Sequence, residues 1–512
     1  MTQGKNEKRI VKNTIFLYFR MIVTMAVSIY TSRVVLDALG VQDYGIFNVV
    51  AGVIVFFAFV NTSLNASTQR YLNTAMSTEG ENAVKKVFNN SLYIYALLSL
   101  IVFISGEIFG FYFIDNVLNI PEDRHSAAIF IFHVSLITLC IQILRTPYNA
   151  MVIAYEKMSF FAYSSIVESL LRLGVVWLLI FISGDKLEIY SLLICAVTAI
   201  LTLWYLLYCQ HNLRSCRYQW LYDKKLVKSM LSFTGWNLFG GFADLIFTQG
   251  TNIILNIFHG VTLNAAFGLA NQIKTAIFSF VSNLQVSANP QIVKSYAAND
   301  IKYFTTLIYA VSKYSYFLML IIALPLIFNI DFILKIWLVD VPAHTSQFII
   351  LIIILILFDS LQGPLWTGMQ ANGNIRNYQI VTSFLMLLNL PLAYIALKLK
   401  YPSESIIWVQ ILVKNIVMVA RLWYAEKMCF ISIKKYFGYV IWPIAIVSAI
   451  TVPIIYILTL KFDSGISQVL ISTISSTMLI IISVYLFGLT KVEKSTTNKY
   501  IKTFVSKRIR NE

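Results

Sequence analysis

The chain has 512 residues, of which 58% are hydrophobic and only 12% are charged, and its formal net charge is +16. Soluble domains are about half apolar and a quarter charged, so this composition, with a mean hydropathy of +0.72, excludes an ordinary water-soluble fold. The positive charges are spread along the chain, which argues against a nucleic-acid-binding face and suits the anionic head groups of membrane lipids.

Fourteen apolar segments are long enough to cross a membrane, because a hydrocarbon core of about 30 Å needs roughly 20 apolar residues per helix. In chain order they lie at 13–36, 45–65, 91–114, 126–146, 160–183, 187–209, 231–257, 262–284, 305–329, 345–366, 377–397, 405–424, 437–460 and 465–489. The segments at 231–257 and 262–284 are the most polar. The sequence therefore predicts an all-α polytopic membrane protein.

The distribution of basic residues agrees with this count of spans. If the N-terminus is inside, the predicted inner segments hold 26 Lys and Arg residues and the outer segments hold 7. Cytoplasmic loops carry such an excess in membrane proteins. We therefore expect both termini in the cytoplasm and a basic tail that acts as a topological anchor.

Two short matches indicate an internal repeat. Leu39-Gly40-Val41 matches His259-Gly260-Val261 at an offset of 220, and Arg145-Thr146-Pro147 matches Gln362-Gly363-Pro364 at an offset of 217. Each match occupies the same place in a frame of six spans, and an even number of spans gives both copies the same orientation. The predicted parts are an N-terminal six-helix lobe, a cytoplasmic linker, a C-terminal six-helix lobe, two additional transmembrane helices and the basic tail, at 1–210, 211–230, 231–430, 431–490 and 491–512.

Several ionisable residues fall inside the predicted spans, where charge is costly and usually faces a bundle interior or a wet cavity. Two of them, Arg145 and Arg421, lie near span ends and are expected to extend to the inner surface. The charges left to explain are Arg20, Glu168, Arg172, Asp244, Lys274, Asp359 and Lys414. Glu168 and Arg172 are four residues apart, so they either neutralise each other or face a cavity together.

Polar residues at helical spacing form stripes on the first, seventh and eighth spans. The first begins at Arg20, the seventh includes Asn252, and the eighth includes Asn271 and Lys274. Such residues often only hydrogen-bond between helices, but three stripes at equivalent places of a repeat favour a shared cavity.

The cations in this set predict an anionic substrate. Arg20 and Lys274, with Arg172 and Lys414, give a positive field, and an Arg fork suits a phosphate. Asn252 and Asn271 are further candidate binding residues, while Asp244, Asp359 and Glu168 balance charge or take up H+ or Na+. The sequence has no phosphate-binding loop or metalloprotease motif, so we expect neither a cofactor nor enzymatic activity.

The basic N-terminus, the Arg in the first span, and the segment Leu-Gly-Val-Gln-Asp-Tyr-Gly-Ile-Phe-Asn at 39–48 resemble bacterial polysaccharide-transport proteins of the lipid-linked O-antigen flippase type. Their superfamily also includes multidrug/toxin extruders and the lipid II flippase. The resemblance implies a two-lobed transporter of the bacterial cytoplasmic membrane, with a central cationic cavity and alternating access. It implies that Arg20 and Lys274 contact a pyrophosphate. The chain departs from a symmetric pair of arginines, since the repeat places Gly240 opposite Arg20.

The leading hypothesis is therefore a flippase that moves a polyprenyl-pyrophosphate-linked oligosaccharide to the outer face of the membrane, for surface polysaccharide synthesis. Membrane lipids, a polysaccharide polymerase and glycosyltransferases are the expected partners. One alternative is a drug or cation antiporter of the same superfamily, in which acidic residues would dominate the cavity. Another is a non-transporting scaffold for polysaccharide assembly, whose polar stripes would tolerate apolar replacement.

Overall fold

The computed structural model describes residues 3–78, 80–116, 122–182, 184–337, 342–459, 465–491, 493–495 and 498, and over these ranges its regular structure is helical, with no strand. The basic tail beyond 498 lies outside the described residues. The first set of helices is α1 Gln3–Thr78, α2 Glu81–Asn116, α3 His125–Ala154, α4 Met158–Phe181 and α5 Lys186–Asn212. The second is α6 Lys224–Ala297, α7 Ile301–Trp337, α8 Thr345–Asp359, α9 Gln362–Asn372, α10 Arg376–Leu387, α11 Asn389–Lys398 and α12 Ser405–Cys429.

The last helices are α13 Ile433–Tyr436, α14 Trp442–Thr459 and α15 Ile466–Ser483, with π-helical turns at Phe437–Ile441 and Val484–Gly488. Within the described ranges, eleven helices are long and apolar enough to cross a membrane. The three other predicted spans, 13–36, 45–65 and 262–284, are helical parts of α1 and α6. The all-helical membrane fold is thus confirmed.

The helix boundaries repeat along the chain. Helices α2 and α3 begin at 81 and 125, and α7 and α8 begin at 301 and 345, which is the predicted offset of 220. A buried contact repeats with the same offset. The thiol of Cys209 donates to the carbonyl of Tyr148, and the thiol of Cys429 donates to the carbonyl of Gly368. Helix boundaries and a buried contact therefore recur at the offset that the sequence predicts.

Helix α1 joins the first two predicted spans without an assigned break. A straight helix of 76 residues would extend about 114 Å, several times the thickness of a bilayer core. Three contacts with α3 and the residues just beyond its ends fix the path of α1, and in chain order they are Arg9–Glu156, Asp43–Arg124 and Asn61–Thr146. These contacts run from the C-terminal end of α3 to its N-terminal end and back, so α1 reverses near Asp43. The sequence predicts a loop between the two spans, but the backbone there is helical throughout the reversal.

Helix α6 also reverses. Phe247 contacts Lys414, and Lys274 interacts electrostatically with Asp359, which itself pairs with Lys414. On a straight helix Phe247 and Lys274 would be about 40 Å apart. The two predicted spans of α6 therefore lie side by side, as expected for the seventh and eighth spans.

Packing divides the chain into two compact units. The first comprises Met1–Leu245, Val286–Asp300 and Gly373–Ile380, and the second comprises Ile246–Gln285, Ile301–Asn372 and Val381–Glu512. Leu64, Phe88 and Ile131 are among the buried side chains at the core of the first unit. Phe304 and Ile352 are fully buried in the second.

Some helices expose one apolar face. On α5, Ile200, Leu203 and Leu207 are 56%, 57% and 62% exposed, and their spacing places them on one side of the helix. Exposed apolar stripes of this kind destabilise a protein in water but suit lipid. This face of α5 is therefore suited to contact with acyl chains.

The start of the C-terminal tail is docked by a buried charge in the second unit. The carboxylate of Glu493 accepts hydrogen bonds from Lys313 Nζ at 2.7 Å and Tyr314 Oη at 2.9 Å. Thr490 and Glu493 also bond reciprocally, as in a helix capping box. The Lys313 side chain is only 2% exposed, so its ammonium is paired inside the protein.

This docking predicts a dependence on pH. Burial alone raises the pKa of Glu493, but the bonds from Lys313 and Thr490 outweigh it and hold that pKa below its usual value. Docking is therefore stable above the ordinary glutamate pKa and is lost as the pH falls through the lowered value. Hydrogen exchange of 484–495, corrected for intrinsic rates, measures it.

The variant Glu493→Gln should show faster exchange at neutral pH by about tenfold or more, the cost of one charged hydrogen bond. The exposed Glu122→Gln is the control. Unchanged protection in Glu493→Gln would contradict the docking.

Candidate functional site

A polar pocket lies inside the first unit, between α1, α3, α4 and α5. It encloses about 320 Å³, the lower end of the volume of small-molecule sites. The side chains come from positions three or four apart, which places them on one face of each helix. The lining residues are Asn61, Asn65, Gln142, Arg145, Thr146, Asn149, Phe161, Ser165, Glu168 and Tyr205.

Two arginines share one carboxylate at this pocket. Arg145 Nη1 lies 3.4 Å from Glu168 Oε2, and Arg172 Nη2 lies 3.0 Å from Glu168 Oε1. Arg145 also lies over the ring of Tyr205, with 5.6 Å between the guanidinium carbon and the ring centre. Glu168 and Arg172 thus pair with each other, and Glu168 also lines the pocket.

Arg20 adds a third cation beside the pocket. Its guanidinium carbon lies 4.8 Å from the ring centre of Phe161, and it interacts electrostatically with Tyr205. Both aromatic side chains line the pocket. Cation–π contact with a partly desolvated ring stabilises a guanidinium by about 0.5–2 kcal/mol. We call Arg20, Arg145, Arg172 and Glu168 the first cluster.

A second cluster lies in the second unit. Lys414 Nζ is 3.4 Å from Asp359 Oδ1 and 5.0 Å from the ring centre of Phe247. Lys274 and Arg421 also interact electrostatically with Asp359. Asp359 ends α8, where the partial negative charge of the helix C-terminus disfavours a carboxylate. The surrounding cations offset this cost. We call Lys274, Lys414, Arg421 and Asp359 the second cluster.

The two clusters have the same numbers of positive and negative side chains. Among the residues that the structure describes, each contains three cations and one carboxylate. Two of the cations, Arg145 and Arg421, were expected to extend to the inner surface, whereas the structure shows Arg145 lining the pocket and Arg421 packed inside the second unit. Arg421 is only 9% exposed, and its guanidinium is directed to the carbonyl of Gln362. Each cluster, as defined here by its residues, thus holds three cations for one carboxylate.

Three other predicted site residues have different surroundings. Asn252 Nδ2 donates to Gln249 Oε1 on its own helix at 2.9 Å, and Asn271 Nδ2 donates to the Phe267 carbonyl at 3.1 Å. In both cases the amide nitrogen bonds to a residue of the same helix, which is a local contact rather than one directed at a ligand. Asp244 is an exposed residue of α6, and its coupling role remains a prediction.

The structure gives a reason for Gly240 at the repeat position of Arg20. A Cβ atom at Gly240 would lie 1.4 Å from Gln379 Nε2, so the Gln379 side chain fills the space of a larger residue. Gln379 follows the start of α10 by three positions, and Phe161 follows the start of α4 by three positions. The contact Arg20–Phe161 in one repeat is thus replaced by Gly240–Gln379 in the other. The second cluster therefore has no cation at the position that corresponds to Arg20.

A buried ion-pair network lies beside the first unit's α3–α4 turn. Glu156 accepts hydrogen bonds from Lys294 Nζ at 2.9 Å and Gln291 Nε2 at 2.6 Å, and pairs with Arg9 at 3.1 Å. The Glu156 side chain is fully buried. Burial lowers the pKa of Lys294, while the Glu156 carboxylate opposes this effect. The network ties α1 and the end of α6 to this turn and holds the first cluster's helices in place.

No group of His, Cys, Asp and Glu residues suited to a metal ion occurs in the described parts of the chain. A family model described as MatE matches residues 224–395, and one described as Polysaccharide biosynthesis protein matches residues 10–295, more than half of the chain. The chain belongs to the polysaccharide biosynthesis protein family. This membership, with the second match, makes it a membrane transporter of the multidrug/oligosaccharidyl-lipid/polysaccharide exporter superfamily rather than an enzyme.

Solved structures share the fold of this polysaccharide biosynthesis protein. A MATE protein in complex with MaD3S has a TM-score of 0.70 at 13% identity, covering 83% of this chain and 97% of that one. A transporter from Pyrococcus furiosus, whose binding pocket of reverse polarity suggests a different function, has a TM-score of 0.69 at 13% identity, covering 81% and 95%. An outward-facing multidrug resistance MATE transporter has a TM-score of 0.69 at 13% identity, covering 84% and 99%. No curated protein sequence matches this family member.

Proposed function

We propose that this chain moves a polyprenyl-pyrophosphate-linked oligosaccharide from the cytoplasmic to the outer leaflet of the bacterial cytoplasmic membrane by alternating access. The observation that carries the proposal is the predominance of Arg and Lys over carboxylates among the residues of both clusters. A pyrophosphate offers negative charge and several acceptor oxygens to such cations. Charge-assisted bonds to such a group are about twice as strong as neutral ones.

The proposed roles follow from the chemistry of each side chain. Arg145 and Arg20 present planar forks to phosphate oxygens, while Lys274 and Lys414 act as mobile point charges. Arg172 and Arg421 add to the field. Asn65 and Gln142 line the pocket and offer hydrogen bonds to sugar hydroxyls. Asn252 and Asn271, on the polar stripes of the seventh and eighth spans, are assigned to substrate binding as well.

The energy source is proposed to be an ion gradient or the membrane potential. Glu168, Asp359 and Asp244 are the residues assigned to balance charge or to take up H+ or Na+. In the proposed orientation both termini are cytoplasmic, in accord with the basic residues at the predicted inner ends of the spans. The six-helix lobes predicted at 1–210 and 231–430 would be the parts that alternate.

The test is transport in vesicles that contain the purified protein and the lipid-linked oligosaccharide, with a lectin that detects sugar in the opposite leaflet. We expect Arg20→Ala and Lys274→Ala each to slow the appearance of sugar by roughly tenfold or more, the cost of one charged hydrogen bond. The exposed pair Lys434→Gln with Lys435→Gln is the control. Normal rates in properly inserted Arg20→Ala and Lys274→Ala proteins would overturn the assigned roles.

The MatE match over residues 224–395 favours a second candidate, a cation or drug antiporter. This function needs acidic residues to bind the substrate, so Asp244→Asn should abolish efflux of a cationic dye while Arg20→Ala should spare it. Dye efflux with this dependence, and no transfer of oligosaccharide, would replace the first proposal with the second.

A further inference from the structure

An extended segment between α5 and α6 lies against α2 in the first unit. Residues 217–223 are not helical, and two adjacent asparagines of α2 hold their backbone. Asn89 Oδ1 accepts from the amide of Gln219 at 2.9 Å. Asn90 Nδ2 donates to the carbonyl of Leu221, and Asn90 Oδ1 accepts from the amide of Asp223, both at 2.9 Å. We call residues 217–223 the strap.

The strap displays three aromatic side chains. Tyr218, Trp220 and Tyr222 alternate along the extended backbone, which places them on one face. All three rings pack edge-on against Tyr93 of α2, with ring centres 6.4, 5.7 and 6.2 Å away. They nevertheless remain 52%, 81% and 60% exposed. Two buried asparagines thus hold the backbone of a segment whose aromatic side chains stay exposed.

Basic residues flank this aromatic surface. Arg214, Arg217, Lys224, Lys225 and Lys228 are all exposed. The one acidic residue of the strap, Asp223, is used as the N-cap of α6, where its carboxylate accepts from the amides of Lys225 and Leu226. The cap leaves its charge directed at the helix rather than at the neighbouring lysines. The surface is therefore aromatic in its centre and cationic around it.

We propose that the strap is a binding surface for anionic phospholipid head groups at the edge of the membrane. Tyr and Trp concentrate at the interface between head groups and acyl chains, because their rings are apolar and their tips are polar. Basic residues beside them attract anionic lipids. The strap connects the predicted spans 187–209 and 231–257, so it lies at the level of the lipid head groups. This surface is independent of the transported substrate, so the inference does not depend on the proposed function.

Quenching of Trp220 fluorescence by brominated lipids tests the proposal in the full chain. The protein is placed in phosphatidylcholine vesicles that contain the same fraction of brominated phosphatidylglycerol or brominated phosphatidylcholine. Because the chain has nine tryptophans, the signal of Trp220 is the difference between wild type and Trp220→Phe. We expect brominated phosphatidylglycerol to quench this signal more strongly than brominated phosphatidylcholine.

The charges give a matched control. The pair Lys224→Gln with Lys225→Gln should lower the preference for phosphatidylglycerol by about fivefold for each charge removed, the weight of one basic residue near an anionic surface. The exposed pair Lys434→Gln with Lys435→Gln should leave it unchanged. Equal quenching by the two lipids would overturn the proposal. So would quenching of Trp220 by aqueous acrylamide with no effect of either brominated lipid.

Discussion

Replacing Arg145 by glutamine should weaken the binding of a polyprenyl-pyrophosphate lipid by roughly 10- to 100-fold, the loss of one charge-assisted hydrogen bond. Arg145 lines the pocket of the first unit and shares Glu168 with Arg172. Glutamine keeps most of the side-chain length but loses the charge and the fork. The affinity of Arg145→Lys should lie between those of the wild type and Arg145→Gln, because lysine keeps the charge but not the fork.

Glu168→Gln makes this prediction discriminating. It removes the one negative charge of the first cluster and frees Arg145 and Arg172 for an anion, so binding of the pyrophosphate lipid should be kept or strengthened. A cationic substrate would lose its counter-charge, and its binding should fall. Equilibrium binding to the detergent-solubilised protein measures both variants. Weakened lipid binding in Glu168→Gln with unchanged binding in Arg145→Gln would contradict the anionic assignment.

Replacing Glu156 by glutamine should destabilise the protein by about 3 kcal/mol, the lower end of the cost of breaking a buried ion pair. The Glu156 side chain is fully buried, whereas Lys294 is 23% exposed and Arg9 is 52% exposed. Glutamine still accepts a hydrogen bond, but it leaves the ammonium of Lys294 with no opposite charge from this position. Arg9 regains water, which is why the lower end of the range applies.

The measurement is the apparent melting temperature of purified Glu156→Gln in detergent. The control is Glu122→Gln, since Glu122 is exposed at the start of its helical turn. The buried substitution should lower the melting temperature by several degrees, and the control should not. Equal melting temperatures for the two variants would show that the network does not hold the α3–α4 turn.

The fold was largely predictable from the sequence, because a bilayer imposes length and polarity on every helix that crosses it. The segments at 91–114 and 405–424 lie within α2 and α12, and the offset of 220 recurs in the helix boundaries. The helical conformation of the backbone through the turns within α1 and α6 was not predictable. Hydropathy detects the end of an apolar segment, but it does not detect whether the backbone remains helical while the chain reverses.

The site was only partly predictable. Helical spacing on the first and eighth spans predicts Arg20 and Lys274 as site residues, and the structure places them in the first and second clusters. Arg145 and Arg421 were assigned to the surface by their distance from a span end, and that distance does not report which way a side chain points. The polar spacing of Gln142, Arg145 and Asn149 on α3 is the sequence signal that indicates this pocket. Glu156 lies in a short turn, so only the fold brings it to Arg9 and Lys294.

Native mass spectrometry of the lipid that co-purifies with the protein tests the central claim most directly. We expect a polyprenyl-pyrophosphate carrying sugars on the wild type, and its loss from Arg145→Gln but not from the control pair Lys434→Gln with Lys435→Gln. A drug-like cation bound to the wild type, or a pyrophosphate lipid retained undiminished by Arg145→Gln, would contradict the account.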